Sequence, residues 1–123
     1  MKDANALALS VIREALPDGT RVAISMPDDW PAAKALVLCR RVGGPVTSVR
    51  HGLDRPMFTV SAFAASHAEA SSLAHAAQSA LYDAARRGHR GVSAFRSVSG
   101  PAWLTGAPAG SERYSFTAVV SVH

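Results

Sequence analysis

The chain has 123 residues, 48% of them hydrophobic, a formal net charge of +4 and a single cysteine, with a pI of about 10.0. That length fills a single domain, 1–123, and leaves no room for a second, while the apolar share is too high and the charge too low for a disordered chain. No stretch approaches the ~18 uninterrupted apolar residues of a membrane span, and Met1-Lys2-Asp3-Ala4-Asn5 lacks the charged-then-apolar layout of a signal peptide, so no membrane partner is expected.

Ala4 to Leu16 reads as a helix, with Ala8, Val11, Ile12 and Ala15 at helical spacing and Asp3 as N-cap. Pro17-Asp18-Gly19 ends it with a turn. Arg21 to Met26 alternates, Val22, Ile24 and Met26 against Arg21, Ala23 and Ser25, the pattern of a half-buried strand. Prolines bracket Asp28-Asp29-Trp30 and make that segment a loop. The apolar run from Ala35 to Val42 predicts a central strand, broken by Gly43-Gly44-Pro45. Residues 43–56 are polar, basic and turn-rich, and read as a long loop or hairpin excursion before a third strand from Met57 to Phe63.

The second helix is announced by a capping box, Ser66-His67-Ala68-Glu69. Ala70, Leu73, Ala74, Ala77, Leu81 and Ala84 form its apolar stripe, and the alanines imply close approach to a sheet. Arg86 and Arg87 suit the negative end of the helix dipole, and Gly88 suits the C-cap. Two strands follow, Gly91 to Ser99 and Glu112 to Val122, joined by a second long loop through Gly100-Pro101-Ala102-Trp103-Leu104. The predicted class is α+β: one mixed sheet of about five strands with two helices, in the order helix, three strands, helix, two strands.

Chemistry-bearing groups are few. Cys39 lies in an apolar run and reads as a buried small hydrophobe, although Arg40 and Arg41 beside it would suit a reactive thiol. His67 and His75 are two helical turns apart, too far to share an ion, and no His-x-x-x-His pair occurs. There is no nucleophile elbow, phosphate loop or dinucleotide fingerprint. No catalytic residue, metal ligand or cofactor is therefore assigned.

The basic residues are better candidates. Eleven of the thirteen cationic side chains are arginine, a bias that fits recognition of phosphates or interface carboxylates and equally a GC-rich genome. Arg40, Arg41, Arg50, His51 and Arg55 cluster around the excursion, and Arg86, Arg87, His89 and Arg90 follow the second helix. No aromatic ladder accompanies them for stacking on single strands, so a solvated face or a protein interface is favoured over specific nucleic-acid recognition. Trp30 and Trp103, both assigned to loops, are interface anchors or local core plugs.

Three segments, in order and spacing, resemble the tail terminator (tail completion) proteins of long-tailed bacteriophages with non-contractile tails. They are Arg40-Arg41-Val42-Gly43-Gly44 followed by Asp54-Arg55-Pro56; Ser66 through Leu81 with its alanine spacing; and Ser99-Gly100-Pro101-Ala102-Trp103-Leu104 followed by Arg113-Tyr114-Ser115-Phe116-Thr117. The opening helix, Leu16-Pro17 and a Val-containing strand agree, so the resemblance covers nearly the whole chain. It implies a structural virion protein without catalytic residues. Such a protein forms a homohexameric ring on the head-proximal end of the tail tube, stops tube polymerisation and meets tail tube and neck or head-completion proteins. Viral DNA passes through the lumen without sequence-specific binding. The resemblance also places a projecting assembly loop at Arg40 to Pro56. The interface candidates are Trp30, Arg40, Arg41, Arg50, His51, Arg55 and Trp103. The rival class is a small basic nucleic-acid-binding protein, favoured by pI alone; a small enzyme is a third.

Overall fold

The computed structural model describes residues 4–17, 19–27, 30, 34–43, 55–105, 107 and 110–122. In chain order these form α1 (Ala4–Ala15), β1 (Arg21–Ala23), β2 (Leu36–Gly43), β3 (Met57–Ala64), α2 (His67–Arg87), a single 3₁₀ turn (His89–Gly91), β4 (Val92–Leu104) and β5 (Glu112–Val122). The strands make one mixed sheet in the order β1-β2-β3-β5-β4. Only β1 and β2 are parallel; the other neighbours are antiparallel. The expected α+β class, element order and helix count hold.

Both helices pack on the same face of this sheet. Val37 and Cys39 of β2, Phe58, Val60 and Ala62 of β3, and Phe116, Ala118, Val120 and Val122 of β5 point into one core with Val11, Ile12 and Leu81 from the helices. Alternate residues of a strand point to opposite faces, so these positions line one side throughout. Alanines 70, 74, 77, 80 and 84 are buried on α2, and their short side chains let the helix sit close to the sheet. Its ends are fixed as the sequence predicts. Ser66 Oγ accepts from the Glu69 amide at 3.2 Å; Gly88, left-handed at φ 66°, donates its amide to Ala84 and Ala85. Asp3, the expected cap of α1, lies outside the described residues, as do Asp28 and Asp29.

Two expectations need correction. The strand expected at Arg21–Met26 stops at Ala23: its parallel ladder with β2 ends at the Ala23–Leu38 pair, although β2 itself runs on to Gly43, and Val22 is buried while Ile24 is exposed. The apolar run of β2 is an interior strand, paired with β1 and with β3 as expected of it, while β3 holds the middle place. Finally, Gly100 to Leu104 is strand, not loop. Ala102, Trp103 and Leu104 pair with Ser115, Tyr114 and Arg113 of β5, and register shifts on either side of Ser99 absorb the irregular stretch at Gly100-Pro101. Pro101 is tolerated because β4 is an edge strand, where a missing amide proton breaks no ladder bond.

Candidate assembly interface

Strand geometry decides where the arginines go. Arg40 and Arg41 are neighbours in β2 and therefore project from opposite faces. Arg41 stands opposite the core residue Phe58, and its amide donates to Asn5 Oδ1 of α1 at 3.1 Å, so it belongs to the helix-covered side. Arg40 stands opposite Thr59, on the side that no described helix covers. Arg55, just before β3, borders a depression of about 420 Å³ on that same bare face, together with Met57, Arg96 and Val119. Arg50 and His51 lie outside the described residues.

Hydroxyl pairs run along the middle of the bare face. Thr59 and Thr117 bring their oxygens to 3.5 Å, and Ser61 and Ser115 to 2.7 Å. Arg113 closes over the serines, its Nε donating to Ser61 Oγ at 3.3 Å and to Ser115 Oγ at 3.2 Å. Its guanidinium carbon also sits 5.8 Å from the Phe63 ring centroid. This cover is why both serines are buried on a face that carries no helix. Among the described residues the face bears Arg21, Arg40, Arg55, Arg96 and Arg113 and no carboxylate. The described acids, Glu14, Glu69, Asp83 and Glu112, belong to the helices or to the helix-covered side. Such a one-sign surface attracts acidic partners.

The second basic cluster is used differently. Arg86 lies 3.8 Å from Asp83, while His89 and Arg90 both bind Glu14. Arg86, His89 and Arg90 are thus engaged with carboxylates within the chain.

Exposed apolar side chains gather at the two flanks of the sheet. Ile24 and Val42 stand at the β1–β2 flank; Tyr82 of α2 with Val98, Trp103 and Leu104 stand at the β4 flank; each is 44–54% exposed. Ile24, Leu38, Arg40 and Val42 border a depression of about 210 Å³ floored by Thr59 and Ser61. At the other flank Trp103 is held in place: its Nε1 donates to Glu112 at 2.7 Å and its ring stacks on His67 at 5.8 Å and 29°. His67 Nδ1 in turn lies 3.1 Å from the Tyr114 hydroxyl. Trp30, by contrast, is a local staple. Its Nε1 donates to the Lys34 carbonyl at 3.3 Å and Arg21 lies over its ring at 5.6 Å.

Cys39 is fully buried, and burial pushes its thiol up to about 12, which removes the reactive-thiol alternative. Among the described residues no three His, Cys, Asp or Glu side chains are grouped to hold a metal ion. Both depressions on the bare face lack a histidine, cysteine or carboxylate. Sequence reasoning missed Arg96 and underused Arg113. The alternation of β5 already set Arg113 opposite the core positions, but the irregular register of β4 hid Arg96.

A small α+β domain whose distinctive features are a bare cationic face and two unlike apolar flanks has the build of an assembly protein. The model of the phage tail termination protein family matches residues 1–104, and the chain belongs to that family. Its role is accordingly in phage tail termination, as a structural component of the virion tail. The match ends at Leu104, the last residue of β4, so β5 lies beyond it. No curated protein matches the chain. No described helix is long and apolar enough to cross a membrane.

Proposed function

We propose that six copies of the chain form a ring on the head-proximal end of the finished tail tube. There the ring ends tube polymerisation and presents a surface to the neck or head-completion proteins, while viral DNA passes through its lumen. The phage belongs, on this reading, to the long-tailed, non-contractile class. Family membership supports the setting; the observation that carries the assembly reading is the sheet itself, covered by helices on one side only and edged by half-exposed apolar side chains. A monomer keeps large apolar groups on its surface mainly where a partner will cover them.

A reconstruction of the tail neck tests this reading. Six copies of the chain at the tube end are expected, and any other copy number would overturn the hexamer. The rival reading, a nucleic-acid-binding protein, draws on the five arginines of the bare face, which could neutralise phosphates. No described helix is offered there for groove readout, and the face is a sheet floored by hydroxyls, so sequence-specific binding has little to work with.

A further inference from the structure

A cyclic ring joins copies head to tail, so each copy needs two unlike contact surfaces on opposite flanks. The half-exposed apolar side chains divide in that way, Ile24 and Val42 on one flank, Val98, Trp103 and Leu104 on the other. We propose that Trp103 of each protomer seats in the depression between Ile24, Leu38 and Val42 of a second copy of this chain, where Arg40 meets Glu112. The inference rests on the ring reading above and names the contact that closes the ring.

Three observations carry it. First, Trp103 is preorganised: Glu112 fixes its Nε1 and His67 its ring face, so little rotamer freedom remains to be lost on docking. A large aromatic ring that is anchored yet half exposed is the usual centre of a contact. Second, the receiving depression, about 210 Å³, has room for one indole, with Ile24, Leu38 and Val42 as its apolar contacts beside the hydroxyls of Thr59 and Ser61. The charged side chains that line it, Arg40 and Arg113, are both cationic. A guanidinium at an indole face is attractive, and Glu112 arrives with Trp103 as the matching carboxylate.

Third, the two surfaces lie on opposite sides of the sheet. Trp103 pairs with Tyr114 and touches His67 of α2, on the helix-covered side, whereas Leu38, Thr59 and Ser61 lie on the bare side. Neighbouring copies would overlap like shingles, each laying its β4 flank across the next copy's bare face. Such a contact cannot be satisfied by a symmetric pair, so it propagates until the circle closes.

Two single-site variants, Val42→Cys and Leu104→Cys, are mixed, allowed to cap purified tail tubes and treated with a short bis-maleimide; buried Cys39 stays silent. The mixed Val42→Cys/Leu104→Cys product should dominate over like-with-like products. Adding Trp103→Ala should reduce it at least tenfold, and Val42→Asp on the receiving side should lower capping comparably without disturbing the Trp103 cluster. Like-with-like products, none at all, an undiminished yield with Trp103→Ala, or attachment of the Leu104→Cys chain to a tube or neck protein would each overturn the contact while leaving the ring in place. Tails capped by wild-type chain without any ring would overturn the ring reading itself, and the contact with it.

Discussion

Glu14 and Arg90, 76 residues apart in sequence, are joined by an exposed ion pair that ties the last turn of α1 to the turn following α2. Arg90 directs its Nε and one terminal nitrogen to Glu14 Oε1, and His89 Nε2 lies 3.0 Å from Oε2. The clamp has a conformational consequence. Arg90 sits at φ 54°, in the left-handed region between Gly88 and Gly91, where a side-chain-bearing residue is disfavoured; the Glu14 contacts offset that preference.

Hydrogen bonds from His89 and Arg90 hold the Glu14 carboxyl below its ordinary value. A depressed carboxyl stabilises the fold above its unfolded-state pKa, and that contribution is lost as the pH falls through the folded-state value. Glu14→Gln should therefore lower the melting temperature at neutral pH, and the gap from wild type should close on acidification. A gap independent of pH would show that the clamp's charge is immaterial.

Leu81 is fully buried in the alanine stripe of α2. Leu81→Ala should cost about 2–5 kcal/mol in denaturant unfolding. A loss below about 0.5 kcal/mol would mean that the neighbouring alanines and strands close over the void, against the tight helix–sheet seating described above.

The two ends of α2 test separately. Ser66→Ala removes the acceptor for the Glu69 amide and should cost about 1 kcal/mol. Gly88→Ala meets open space around the new methyl but must hold a left-handed backbone, so a loss of roughly 1–2 kcal/mol is expected from conformation alone. Unchanged melting temperatures in both variants would mean that neither cap contributes.

The excursion around Pro45 to Leu53 lies outside the described residues, yet its anchors are clear: Gly43 of β2 stands opposite Met57 of β3. Deleting residues 45–53 leaves enough chain to turn between those partners, so the shortened protein should fold as a stable monomer. If the excursion serves assembly, that protein will not cap tails. Normal-length tails that join heads would overturn the assignment.

DNA binding by the isolated protein should be weak, indifferent to sequence and steeply reduced by salt, because phosphate neutralisation is its only source. Arg40→Ala and Arg96→Ala should each flatten the salt dependence. Affinity for one duplex about 1000-fold above random DNA near physiological salt would instead favour the nucleic-acid-binding rival.

Much of this fold is legible in local pattern. The capping box at Ser66, the left-handed glycine at position 88 and the strict alternation of β5 each specify their element without help from the rest of the chain. What escaped was decided by partners. Ile24 continues an apolar alternation, but the chain leaves β2 after the Ala23–Leu38 pair, so the strand ends there and Ile24 is exposed. Gly100-Pro101 reads as a break, yet β5 captures the residues that follow and carries Trp103 into the sheet. The same holds for the proposed interface. Its aromatic anchor could be nominated from sequence, but its distinction from Trp30 rests on Glu112 and His67 lying beside one ring and Lys34 and Arg21 beside the other.

The irregular register of β4 has a bearing on the life of the protein before it meets a tail. Thirteen residues of outer strand would ordinarily invite uncontrolled fibre growth, since bare amides and carbonyls template the addition of further strands. Here the register shifts three times between Val92 and Ala102, which re-aims those groups, and Pro101 withholds a donor outright. An edge broken in this way is a poor template for further strands, so on the ring reading proposed above side-chain fit, not backbone stickiness, decides when copies join.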